Sequence, residues 1–288
     1  MVESSEKNHQ KHKWMIPYIM VAPAMLVVSV FVIYPIINSI IRSFQVKETG
    51  VFTFEHYLYF LTNPLQQSNL IYTLGIVLAT VALTILFSYI MALYIRFSDS
   101  KLSEWMAAMN LLPRFIPGMV AVYSVIMVIR DSGVISRIGQ VIGIEIQLGW
   151  MYNFRGIILM NLWFNIPFAT LIILAALSSV QDSIIDSAKD VGATKWMIFW
   201  KMIFPLSYKD ALIAVTFVFM SNVGSFTTPY LMGGNAPKML GIALYDQFNS
   251  YMDYEKAAAL SVIMFLICSV SAGIYIYNNM KEQEWEKS

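Results

Sequence analysis

Polar residues interrupt long apolar stretches of this chain at three places, and each offers a way to handle a solute rather than a way to make or break a bond. Asn161 and Asn165 are four residues apart and share a helical face, with Trp163 between them. The run 221–230 carries Asn222, Ser225, Thr227 and Thr228 together with Gly224 and Pro229. Small and polar residues beside Gly and Pro suggest a bend that exposes backbone groups. Arg114 follows Lys101 by 13 residues, which is about 20 Å if the segment is helical. Polar groups inside apolar spans are costly and face a bundle interior or a water-filled cavity. Each set also has a plainer role. Asparagines bond between helices and hold bundles together, and an arginine pairs with backbone or snorkels to the interface. The functional reading is a lined passage, with Arg114 as a counter-charge for an anion and Trp163, Phe226 and Tyr230 as an aromatic cage for a cation.

Catalysis asks for more than these residues offer. Paired carboxylates, a His-rich helix and a nucleophile motif are all missing from the sequence, so no catalytic residue is assigned. The lone Cys268 cannot form an internal disulfide, and no Cys/His spacing suggests a metal. His9, His12 and His56 lie near hydrophilic flanks. No metal and no cofactor is expected. There is no Gly-x-x-x-x-Gly-Lys-Ser/Thr loop to cradle a nucleotide. The net charge is +1, which gives no field that would draw nucleic acid.

The elements that must position these residues are apolar. Hydrophobic residues make up 58% of the 288 and charged ones 13%, against about 25% charged in an ordinary soluble domain. Mean hydropathy is +0.61. The apolar residues come in six blocks, at 14–41, 69–95, 105–129, 156–180, 211–232 and 257–277. About 20 apolar residues suffice to cross a bilayer. The expectation is an all-α integral membrane protein with about six transmembrane helices. It would comprise a tail at 1–13, a transmembrane domain at 14–280 and a tail at 281–288. The first block is too long for a signal peptide core and lacks a small-residue cleavage site, so it reads as a retained span. Pro17, Pro23, Pro35, Pro113, Pro117 and Pro167 fall in or beside spans, where kinks are expected. With both termini inside, the inner segments hold 11 Lys and Arg and the outer ones 7. That bias favours cytoplasmic termini.

Between the fourth and fifth blocks lies a polar segment, 181–205. Asp182 or Ser183 can cap a short helix there. Ile184, Ile185, Ala188 and Val191 then share one face, with Asp186, Lys189 and Asp190 on the other. Gly192 reads as a left-handed stop, and Thr194 as the cap of a second helix running into Pro205. From this pattern alone, docking to a partner protein and lying on the lipid surface stand level.

The segment resembles the cytoplasmic signature loop of binding-protein-dependent ABC importer permeases. That pattern is Glu-Ala-Ala, three residues, Gly, nine residues, then Ile-x-Leu-Pro. Here Asp186-Ser187-Ala188, Gly192 and Met202-Ile203-Phe204-Pro205 stand at the same spacing. The resemblance extends along the chain, including the Pro-rich first span and Asn69. It implies a type I ABC importer permease-like bundle in the bacterial cytoplasmic membrane. Asp186, Ser187, Ala188, Gly192, Ala193 and Pro205 would couple it to a cytoplasmic ABC ATPase dimer. A second permease subunit, identical or not, an extracytoplasmic solute-binding protein and membrane lipid would be its other partners. The run Thr228-Pro229 with Leu231-Met232-Gly233-Gly234 resembles the polyamine, opine and phosphonate branch, which implies a small polar solute, with a polyamine or an aminophosphonate favoured. A sugar or oligosaccharide permease is the alternative. An ion-coupled secondary transporter is less favoured, because the six blocks hold no Asp or Glu.

Overall fold

The computed structural model describes residues 18–47 and 49–285. The tail expected at 1–13, the first four residues of the first block with Pro17, and the last three residues lie outside the described residues. The described residues are mostly helical. The helices are α1 (Tyr18–Ser43), α2 (Glu55–Thr62), α3 (Pro64–Phe97), α4 (Lys101–Met109), α5 (Gly118–Ile129), α6 (Val134–Val141), α7 (Phe154–Ser178), α8 (Asp182–Asp190), α9 (Lys195–Val223), α10 (Thr227–Met232), α11 (Leu240–Tyr245) and α12 (Tyr254–Trp285). Among the described residues, six helical stretches are long and apolar enough to cross a membrane. The fold is therefore an all-α, multi-pass membrane bundle.

The second span starts earlier than its apolar block. Asn63 accepts bonds from the amides of Leu65 and Gln66, and Pro64 opens the helix. Pro is at home there because its missing N–H would be unbonded in any residue. The helix then runs 34 residues, about 50 Å, and Asn69 lies inside it. Thr73, Thr80, Thr84 and Ser88 on α3 are wholly buried. Helices α3, α7 and α9 pack against one another and form the centre of the bundle. Lipid is as apolar as leucine, so helices associate in it through close packing, which small side chains permit, and through polar contacts. Ser88 makes one such contact, donating to the carbonyl of Ile166 on α7.

The prolines act through the backbone register. Pro35 and Pro205 each follow a π-helical turn, Ser29–Ile33 and Phe199–Ile203. A proline cannot donate, and its ring crowds the carbonyl four residues back. The wider turn absorbs that conflict, so α1 and α9 continue instead of ending. Pro167 lies inside α7 and is buried. Neighbours serve the carbonyls beside it: Asn110 Nδ2 donates to the oxygen of Pro167 at 3.1 Å.

The third block is not one helix. α4 stops at Met109, a 3₁₀ turn spans Leu112–Phe115, and α5 begins at Gly118. Pro113 and Pro117 explain the break, since each removes a donor within five residues. The membrane-length stretch here is Gly118–Val141. The fifth block also divides, at Gly224–Phe226 between α9 and α10.

Candidate functional site

The 181–205 segment is built on the end of the bundle where α3, α7 and α9 meet. Ile185 and Ala188 of α8 are buried with Leu177, Val180, Ile198, Ile203 and Ala211. Arg96, near the end of α3, donates to the carboxylate of Asp182 at 2.8 Å and to the carbonyl of Val180 at 3.2 Å. Asp182 is thus an anchor and not the cap: the capping position is Gln181, whose side chain makes no capping bond. The stop follows the expected chemistry. Gly192 has φ of +80°, its amide bonds to the carbonyl of Lys189, and the amide of Ala193 bonds to that of Ala188. These two bonds form a Schellman motif, in which the residue after the glycine packs on the one four positions before it. Ala193 and Ala188 lie in the same apolar cluster. Thr194 then caps the next helix by accepting from Met197 N.

The apolar face of α8 is split. Ile185 and Ala188 point into the bundle, while Ile184 is 37% and Val191 84% exposed. At about 100° per residue, the four span a wide arc, and the bundle covers only one edge of it. On the polar side Lys189 bonds to Asp186 at 2.8 Å. That bond, then the nearby carboxylate charges, raises the lysine above its ordinary value. Ser187 is exposed beside them and bonds back to Ser183 O. Pro205 lies within α9, two residues past the π turn.

Of the residues expected along a passage, Asn165 and Asn222 come together between α7 and α9. Asn165 Nδ2 donates to Asn161 O at 2.7 Å and reaches Asn222 Oδ1 at 3.5 Å. Ser221 Oγ lies 3.4 Å from Asn165 Oδ1, and Asn222 Nδ2 donates to Val218 O at 2.7 Å. Asn161 and Asn222 are buried, and Asn161 Nδ2 has no partner among the described residues. This cluster ties helices together, as asparagines do in bundles. Trp163 faces outward. Thr228 is buried and Ser225 and Thr227 are half-buried around the break in the fifth span. Arg114 sits in the 3₁₀ turn, exposed, with its guanidinium 5.0 Å from the Phe168 ring centre. The helical rise assumed from Lys101 is interrupted at Met109, so the 20 Å depth does not follow.

A cavity of about 530 Å³ opens where the end of α1, the break at Gly224–Phe226, α11 and the start of α12 converge. Phe226 stacks on Tyr230 at 5.0 Å and meets Tyr245 at 4.9 Å. Phe226 and Tyr245 line the cavity with Asn38, Arg42, Phe248 and Asn249 among others. Gly241 is there for space: a Cβ would run into the Ser225 carbonyl. Gly224 and Phe226 are the cavity's share of the 221–230 run. Arg114, Asn161, Trp163 and Asn165 are not on its wall.

Residues 84–280 match the family model described as the binding-protein-dependent transport system inner membrane component. The chain belongs to this family. It is therefore a multi-pass inner-membrane transport component with no catalytic role of its own. The permease is 24% identical over 90% of its length to a sulfoquinovosyl glycerol transport system permease protein of Agrobacterium fabrum, 88% of which is covered. It is 21% identical over 85% of its length to a spermidine/putrescine transport system permease protein of Escherichia coli, 91% of which is covered. A thiamine transport system permease protein of Haemophilus influenzae is 24% identical over 73% of this chain, but the chain spans only 39% of that relative's length. The fold matches a bacterial alginate ABC transporter crystallised with an alginate-bound periplasmic protein. There the TM-score is 0.77, identity is 17%, and 93% of this chain and 94% of that one are covered.

Sequence reasoning about the permease missed Arg42, Tyr245, Phe248 and Asn249 as cavity residues, and Arg96 as an anchor. Arg42 and Arg96 end apolar helices, and there they read only as boundary charges. The rest lie in a connecting segment with no apolar period to announce them.

Proposed function

We propose that this permease forms, with a second permease subunit, the passage of an ATP-binding-cassette importer for a sugar or oligosaccharide. Work would enter through Asp186, Ser187, Ala188, Gly192, Ala193 and Pro205 from a separate cytoplasmic ATPase dimer. An extracytoplasmic solute-binding protein would deliver the solute, and both termini would lie in the cytoplasm, as the Lys and Arg bias favours. The observation that carries this reading is the α8 stub. The Arg96–Asp182 anchor holds its start and the Schellman stop its end, yet Ile184 beside the anchor and Val191 at the stop stay exposed. Apolar side chains on a stiff projecting helix suit a groove on another protein.

The saccharide replaces the polyamine preferred from the Thr228-Pro229…Gly233-Gly234 run. Relatives named for thiamine, a polyamine and a sugar glyceride all align with this chain, so likeness to this family does not by itself select the polyamine. The sugar glyceride relative aligns over more of this chain, at higher identity, than the polyamine one. The cavity also has no acidic residue among the described residues on its wall, where the positive Arg42 would repel a polycation. Asn222, Ser225, Thr227 and Thr228 would shape the passage around the break, with Asn161 and Asn165 beside Asn222 and with Trp163 and Arg114 elsewhere along it; none of the eight is on the cavity wall.

The test places cysteine at Val191 in a Cys268→Ser background, co-expressed with an ABC ATPase from the same organism. Cross-linking that changes with ATP is expected, together with ATP-dependent uptake of labelled saccharides. Uptake that persists without nucleotide would sink the coupling. ATP-dependent uptake of spermidine with no saccharide transport would sink the substrate assignment.

A further inference from the structure

The wall of the cavity carries one kind of charge. Among the described residues lining it, Arg42 is the charged one. Its guanidinium has no hydrogen-bond or ion-pair partner among the described residues, although nearby Lys238 and Lys256 are each paired with aspartates. Two irregular pieces of backbone meet there. One is the break at Gly224–Phe226. The other is a π-helical turn, Asp246–Ser250, which presents Phe248 and Asn249. π turns collect at functional sites. The volume lies within the range of small-molecule sites.

We infer that this cavity is a subsite for an acidic saccharide, with Arg42 holding the carboxylate or sulfonate. The inference rests on the saccharide reading above and adds the charge and the place. A planar guanidinium matches a carboxylate with two parallel bonds. The rings of Phe226, Tyr245 and Phe248 offer flat apolar faces for the C–H side of a sugar ring, and the Asn38 and Asn249 amides can bond to its hydroxyls. A cationic solute would meet Arg42 with no acid on the wall to offset it.

The experiment measures equilibrium binding of labelled digalacturonate and of its methyl ester to the full chain in lipid nanodiscs. The acid should bind at least about tenfold tighter than the ester, the scale of a charge-assisted bond, and salt should narrow the gap. Arg42→Gln should bring the acid down to the ester's level and leave the ester within about twofold. Arg42→Lys should keep part of the preference, and an unchanged melting temperature shows both variants folded. Phe226→Ala should weaken acid and ester alike. If acid and ester bind equally, or if Arg42→Gln keeps the preference, the Arg42 role is overturned and the saccharide reading survives. If neither saccharide binds while spermidine does, the saccharide reading itself falls. Binding of none of the three also overturns the subsite.

Discussion

Gly192 shows how a single residue sets the geometry of the polar segment. Its φ of +80° is left-handed, and a Cβ built there meets nothing within 4 Å. Substitution therefore costs backbone strain and not a clash, roughly 1–2 kcal/mol for alanine. Gly192→Ala should lower uptake part-way, and Gly192→Val, with its β-branch, should abolish it. Immunoblots of the membrane fraction should show both variants inserted normally. Full uptake by Gly192→Val would remove the turn from the mechanism. Arg114 makes a contrasting case. Its contact with Phe168 is a cation–π pair at an exposed site, worth about 0.5–1 kcal/mol. Arg114→Ala should melt slightly earlier and leave the KM for an acidic saccharide unchanged. A selective rise in that KM would put Arg114 back on the path.

At the scale of elements, ends and anchors matter more than the apolar middles. Arg96 clamps α8 through Asp182 and Val180, so Arg96→Gln should free the stub. Uptake should fall several-fold while ATP hydrolysis by the assembled importer continues, and an assay of both rates would show that uncoupling. At the other end of the bundle Asp253 starts α12. It accepts from Lys256 N at 3.0 Å and pairs with Lys256 Nζ at 2.9 Å. Burial pushes its carboxyl up, but those bonds and the lysine charge outweigh burial and hold it below the ordinary value. A lowered folded-state value contributes stability above the unfolded value, near pH 4, and loses it as pH falls through the folded value. Melting temperature should therefore drop below about pH 4. Asp253→Asn should show less of that drop; an identical acid limb would exclude this group as its source.

For the whole molecule, no residue in the most apolar window of α1 is buried by the rest of the chain. α1 touches the bundle near its end, through Ser39 and Ser261 at 3.2 Å and through packing on α12. Its flanks are left for lipid or for a second permease. The proposed passage needs an engine from another chain, because this sequence carries no nucleotide loop. The purified chain alone in liposomes should not accumulate solute, with or without ATP. Steady accumulation would contradict the proposed division of labour.

Hydropathy alone was enough for the membrane class and the approximate span positions, because lipid selects long apolar helices whatever their neighbours. The stop at Gly192 and the cap at Thr194 were equally legible, since both are local backbone chemistry within a few residues. Helix continuity was less so: Pro113 and Pro117 fall at a helix break, Pro35 and Pro205 follow π turns in continuous helices, and Pro167 sits inside α7 with Asn110 serving its carbonyl. The outward placement of Ile184 and Val191 and the meeting of Arg42 with Phe226, Tyr245 and Asn249 came only from the tertiary structure. Arg42 and Asn249 are 207 positions apart. Which flank of an amphipathic helix is covered, and which helix ends converge on one cavity, depends on packing between segments that no local period encodes.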